Sequence, residues 1–199
     1  RDLHPVAHSF PTRSSSDLAS GVLAEGDDFY VSYKIPVEVD GDARDYVRYY
    51  FKRIDLSDPG NPVIHAGVNV PGDLIAVADG GQSVFTRDYV WGDNIVESAI
   101  NKLSVSGSVA TLLARERFAD RMVNEMLLDG AGHALVSHRL SWVVINEDPD
   151  ITWEDVRETL TVLDADGDKL TRLSEVEIDN WAWMRAAKAG RALYEVPGG

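Results

Sequence analysis

The chain has 199 residues, a formal net charge of −14 and no cysteine. Its 44% apolar content is that of a globular protein, and no apolar run nears the roughly 20 residues a membrane-spanning helix needs. The acidic balance argues against nucleic acid, whose phosphates call for a surplus of Lys and Arg, and the missing cysteines exclude disulfides, thiolate zinc sites and cysteine nucleophiles.

Residues 1–18 read RDLHPVAHSFPTRSSSDL. They resemble a translated sequencing adapter: fixed flanks surround a variable index that Pro5, Val6 and Ala7 fill, and Ser14 stands where the adapter frame gives Arg. The segment is expected to be non-native and disordered, so His4 and His8 carry no functional weight. The domain is then read over residues 19–199.

From Gly26 onward a pattern recurs in which small or turn residues precede an alternating apolar strand. Its copies begin at Gly26-Asp27-Asp28-Phe29, Gly80-Gly81-Gln82-Ser83, Ala131-Gly132-His133-Ala134 and Ala189-Gly190-Arg191-Ala192. Aligning Phe29, Ser83, Ala134 and Ala192 gives spacings of 54, 51 and 58 residues, which are blade-like periods. Between copies lies a second element. Asp55-Leu56-Ser57-Asp58-Pro59-Gly60-Asn61-Pro62 and Asp164-Ala165-Asp166-Gly167-Asp168 hold tight-turn residues. Strand-like runs follow, Val63 to Val70 and Lys169 to Ile178, then Leu74–Ala78 and Trp181–Met184 as innermost strands. The predicted fold is all-β, an incomplete β-propeller of about three four-stranded antiparallel blades, open at both ends and exposing unpaired strand edges.

The phrase Ile54-Asp55-Leu56-Ser57-Asp58-Pro59-Gly60-Asn61-Pro62-Val63, followed by Val68-Asn69-Val70-Pro71-Gly72, resembles secreted bacterial and archaeal proteins with a C-terminal β-propeller domain. The resemblance implies a non-enzymatic, exported or cell-envelope binding or scaffold module, often lipid-anchored upstream. Its partner would be a protein or small-molecule ligand. It implies no cofactor and supplies no catalytic residue.

A helical alternative competes over residues 109–128, where Val109, Leu112, Leu113, Met122, Val123, Met126 and Leu127 partly fit a helical period and Gly130 suits a cap. Thr152-Trp153-Glu154-Asp155 also resembles a helix start. Together they would give an α+β fold with an EF-hand-like segment. The recurrence of the glycine-strand element favours β.

The sharpest chemical motif is Asp164 to Glu175, which sets Asp164, Asp166, Asp168 and Glu175 at positions 1, 3, 5 and 12 of a calcium-type loop. Lys169 stands where that loop needs Gly, and Thr171 where it needs an apolar residue, so the reading preferred is a β-turn, with calcium as the alternative. The acidic loop Asn146–Asp150 reads as a solvated connector. His133 and His138 are five residues apart and fall on opposite faces of a regular strand, and His65 lies beside another. Ser104, Ser106 and Ser108 lack a nucleophile elbow. Trp91, Trp142, Trp181 and Trp183 suit packing between blades. No residue is assigned a catalytic role, and the remaining alternative is a propeller-fold enzyme whose groups come from several blades.

Overall fold

The computed structural model describes residues 4–6, 18–91, 96–141, 150–152, 156–178, 183–186 and 192–195. It is all-β. In chain order the strands are β1 (His4–Val6), β2 (Leu18–Glu25), β3 (Asp28–Val39), β4 (Asp42–Asp55), β5 (Val63–Ile64), β6 (Val68–Val70), β7 (Asp73–Ala78), β8 (Ser83–Trp91), β9 (Val96–Ser106), β10 (Val109–Ala119), β11 (Arg121–Leu128), β12 (His133–Leu140), β13 (Glu158–Asp164), β14 (Thr171–Ile178), β15 (Trp183–Ala186) and β16 (Ala192–Glu195). The 3-10 turn Asp79–Gly81 is the sole helical element among the described residues. No helix among them is long and apolar enough to cross a membrane.

Three antiparallel sheets follow one another along the chain. The first runs β2-β3-β4, with β5, β6 and β1 also pairing β4; the second runs β7-β8-β9-β10 and the third β11-β12-β13-β14, while β15 pairs β16. Each is a meander, because strands consecutive in the chain are antiparallel neighbours in the sheet. The segment expected to be non-native contributes β1, in which His4, Pro5 and Val6 face Val47, Tyr46 and Asp45.

The repeat seen in the sequence has a backbone counterpart. In each sheet an amide at or just beyond the end of the third strand donates to the carbonyl that immediately precedes the second strand. These bonds are Leu56 N to Asp27 O at 3.0 Å, Val105 N to Gln82 O at 2.8 Å and Ala165 N to Gly132 O at 2.7 Å. They tie the first hairpin's turn to the third strand three times over. The last copy turns through Gly132 at φ 91°, a left-handed value that costs glycine little, with the Asp166 Cβ only 3.2 Å from where a Gly132 Cβ would stand.

The helical alternative is not realised over residues 109–128, which form β10 and β11. The reason is a β-bulge between Val123 and Glu125 in the pairing with β12. The extra residue lets Val123 and Met126, three apart, both turn inward, which in the sequence mimics a helical step. Of the second helix start, Trp153–Asp155 lie outside the described residues. The run expected as one strand from Val63 to Val70 is instead two short strands broken at His65–Gly67, where a Cβ on Gly67 would stand 2.4 Å from the Tyr33 hydroxyl.

The chain divides into two compact units. The first holds residues 1–91 and 100–113, the second residues 92–99 and 114–199, so β9 and β10 each contribute to both. Unit 1 has an apolar core of Tyr30, Phe51, Val68, Val70, Leu74, Val84 and Leu103, with the Tyr30 and Phe51 rings tilted at 6.3 Å. Unit 2 buries Phe118, Val123, Val136, Leu160 and Leu163, but side by side with many polar groups. The fourth strands carry exposed apolar pairs, Val63 and Ile64 on β5, Val109 and Leu112 on β10, and Leu173 and Val176 on β14.

Candidate functional site

The predicted calcium ligands fall on a hairpin between β13 and β14, and their carboxylates are engaged locally. Asp164 Oδ1 accepts from Asp166 N at 3.0 Å, and Asp166 Oδ1 accepts from Gly167 N at 2.9 Å. Lys169 N closes the turn onto Asp166 O at 3.2 Å. Glu175 lies on β14, opposite Thr161 in the ladder, and accepts from Arg172 at 3.0 Å and Thr161 at 3.2 Å. Asp168 is exposed. Among the described residues no three His, Asp or Glu side chains converge on a point that could hold a metal ion.

The histidines separate as their spacing requires. His133 is exposed and pairs with Asp129 at 2.8 Å. Asp129 also accepts the amides of Ala131 and His133, and these backbone bonds, His133's first, hold its carboxyl below the usual range. His138 is fully buried. Ser104 and Ser106 lie on β9, and Ser108 in the turn that follows it. Asn146–Pro149, Trp142, Trp181 and the side chains of Trp91 and Trp183 lie outside the described residues; Asp150 is exposed.

Around His138 the structure assembles a polar network that no sequence motif signals. Arg121 Nη1 donates to Thr159 Oγ1 at 2.9 Å and lies 3.4 Å from His138 Nδ1. Since a guanidinium only donates, Nδ1 must accept, leaving the proton on Nε2. Nε2 then donates to Thr161 Oγ1 at 2.7 Å, and Thr161 donates on to Glu175 Oε2. Arg172 completes the chain by contacting Glu175 and by donating twice to Glu116 Oε1, at 3.2 and 2.8 Å. The Phe118 ring packs on the imidazole at 4.7 Å between centroids, and the Arg172 guanidinium lies 5.0 Å from the Phe118 ring centre. Burial, and behind it the charge of Arg121, push the His138 pKa down to about 4. The imidazole is therefore neutral at physiological pH, with both nitrogens engaged and no surface open to a reactant. This network fixes structure; it presents no reacting atom.

Nearby, Ser98 Oγ donates to Arg121 O at 2.6 Å and accepts from Val123 N at 3.1 Å, while Asn124 donates to the buried Glu158 at 2.8 Å. In unit 1, Thr86 Oγ1 donates to Pro71 O, and Asn101 Nδ2 donates to Thr86 Oγ1 at 3.2 Å. These bonds anchor the turn between β6 and β7.

Unit 1 also holds a pocket among its described residues. The pocket, of ≈ 210 Å³, is lined by Tyr30, Phe51, Arg53, His65, Gln82 and Val105 among others. Tyr30 and Phe51 come from adjacent strands β3 and β4, so the ladder sets their spacing. Gly81 forms part of the rim; at φ 84° its missing Cβ leaves room for the Tyr30 hydroxyl, which would lie 2.5 Å from that atom. Arg53 Nη2 is held by Asp28 Oδ2 at 2.8 Å. Asp28, which does not line the pocket, also interacts with Tyr30 through its side chain, and Tyr30 Oη, Arg53 Nε and Asp28 Oδ1 are all shut off from solvent. Burial first, then the Asp28 and Glu25 carboxylates, push the Tyr30 pKa up to about 12, so the phenol keeps its proton.

The sequence pattern gives none of these residues a ligand role: His65 lies beside a strand, Gly80, Gly81 and Gln82 read as a turn, and Tyr30, Phe51 and Arg53 read as ordinary alternating strand positions. No protein-family model, no curated protein and no solved structure matches this chain.

Proposed function

We propose that residues 19–199 form blades of a β-propeller that serves an exported or cell-envelope protein as a non-enzymatic binding or scaffold module. One observation carries the reading. Three successive antiparallel sheets, one of six strands and two of four, repeat the same backbone tie from the third strand to the first hairpin turn, at Leu56–Asp27, Val105–Gln82 and Ala165–Gly132. Repetition of one supersecondary unit, with the exposed fourth strand at the outer edge, is how propeller blades are built. The likeness of Ile54–Val63 to secreted propeller proteins points the same way and supplies the cellular setting. The binding role is supported by the pocket beside Arg53, while the buried imidazole of His138 offers no general base.

Propellers close with about four to eight blades, so the reading has a direct test. The structure of the natural full-length protein carrying residues 19–199 is expected to show the three sheets arranged radially about an axis, with further blades completing the ring. A closed sandwich or barrel built from residues 19–178 would overturn the proposal.

A further inference from the structure

We propose that the corner leading into β11 is an acid-released latch in unit 2: a proton on His138 sets two cations against each other, drives the Arg121 side chain out of its place and lets β11 open while unit 1 stays closed. The inference depends neither on the propeller architecture nor on a ligand.

The corner is held largely by side chains. β11 is an edge strand, paired with β12 alone among the described strands, and the bulge between Val123 and Glu125 interrupts that pairing. Asp120, just before it, turns at φ 58°, a left-handed value. Ser141 N donates to Asp120 O at 3.0 Å. From β9, Ser98 Oγ donates to Arg121 O and accepts from Val123 N, and Asn124 reaches Glu158 on β13. The Arg121 side chain adds its own tie, on Thr159 Oγ1 and against His138 Nδ1.

That last contact works only while the imidazole is neutral. Once protonated, both ring nitrogens are donors. Nε2 keeps Thr161, but Nδ1 then turns a hydrogen toward the Arg121 guanidinium at 3.4 Å, where neither side accepts and both carry positive charge. No neighbouring element supplies an anion in contact with the ring. β10 offers the Phe118 ring, with Glu116 taken by Arg172. β13 offers the hydroxyls of Thr159 and Thr161, while Glu158 alternates to the other face. β14 offers Glu175, which is reached only through Thr161 and is already held by Arg172. Arg121 and Arg172 balance Glu116 and Glu175, so an imidazolium is the excess charge. His138 is 0% exposed and has no route to water. Arg121 is half-buried, and its long side chain reaches solvent by a change of rotamer. Arg121 is therefore the group that leaves.

The opening is local because the titrating group is local. Among the residues whose side chains are described, no other histidine is buried; His65 in unit 1 and His133 in unit 2 are both exposed. Edge strands held by few ladder bonds open at less cost than the core around them.

The test is hydrogen–deuterium exchange on the full chain at pH 7 and pH 5, with rates corrected for the intrinsic pH dependence of exchange. Both values lie above the ordinary carboxylate range. Burial first, then Arg121, hold the closed imidazole at a pKa of about 4 against 6.5 when it is open to water, so opening takes up a proton. Peptides covering β11 are expected to lose about 20-fold in protection at pH 5, and peptides covering β8 of unit 1 to keep theirs. His138→Gln, which retains a donor and an acceptor but takes no proton, is expected to reduce the β11 loss to below about twofold. Arg121→Met removes the opposing cation, and its β11 loss between the two pH values is expected to be smaller than in wild type, even where the strand is looser at both. That variant decides the matter should His138→Gln fail to fold. Equal protection of β11 at pH 7 and pH 5 would overturn the inference. So would an equal loss in β8, or an acid response undiminished in either variant.

Discussion

Unit 1 and unit 2 use the same meander and the same hairpin tie, yet fill their interiors in opposite ways. Unit 1 closes around aromatic and aliphatic side chains, Tyr30, Phe51, Val84 and Leu103, and leaves a pocket beside them. Unit 2 buries a directed chain of hydrogen bonds from Arg121 through His138 and Thr161 to Glu175. An apolar core gains from area removed from water and tolerates local change in proportion to volume. A polar core gains little net energy, but loses heavily when one member is removed, because its partner is then stranded in low dielectric. One backbone plan thus supports an apolar interior in one unit and a hydrogen-bonded one in the other.

The contrast can be broken most forcefully in the apolar core. Leu103→Ala deletes a side chain that is 2% exposed and is expected to cost about 2–5 kcal/mol, read from urea unfolding followed by tryptophan fluorescence. A cost below about 1 kcal/mol would mean that the core of unit 1 is loosely packed.

The second effect belongs to unit 2 and depends on pH. The folded-state pKa of His138 is depressed to about 4 from 6.5, so the unfolded chain binds the proton more readily. Stability is therefore fully present above pH 6.5, falls as pH drops through the window from 6.5 to 4, and falls no further on this account below it. A depression of this size corresponds to about 3 kcal/mol. The difference between wild type and His138→Gln in unfolding free energy, measured at pH 7.5, 6, 5 and 4, is expected to shrink as pH falls. A constant difference would show that His138 titrates normally.

Arg121→Met sharpens the same point by removing the donor to Thr159 and to His138 Nδ1. A loss of about 1–3 kcal/mol is expected. The His138 pKa should rise in this variant, because the Arg121 charge is one of the causes that lower it; imidazole proton NMR across pH would register the shift. Gly132→Ala should cost about 1–2 kcal/mol, since φ is 91° there and Asp166 is close by, and differential scanning calorimetry would measure it.

Much of the fold was legible in the sequence because strands and turns are written locally. The glycine-led copies at Gly26, Gly80 and Ala131 mark the first hairpin of each sheet, and Asp164–Asp168 forms the turn its composition indicates. The spacing of His133 and His138 placed them on opposite faces, one exposed and one buried. Residues 109–128 were harder, since a bulged strand and an amphipathic helix both present apolar residues three apart, and only the pairing of β11 with β12 separates them. The pocket and the His138 network were not legible at all. Arg121 meets Thr159 across 38 positions of chain, and neither residue type is unusual in a strand.

What the sequence determined by itself is the period, the strand-turn order and the acidic charge, all of which depend on near neighbours or on composition alone. Tertiary structure decided which polar side chains became buried and which partners they found. Burial and hydrogen-bond pairing depend on residues brought together from distant strands, and no local pattern along the chain encodes that meeting.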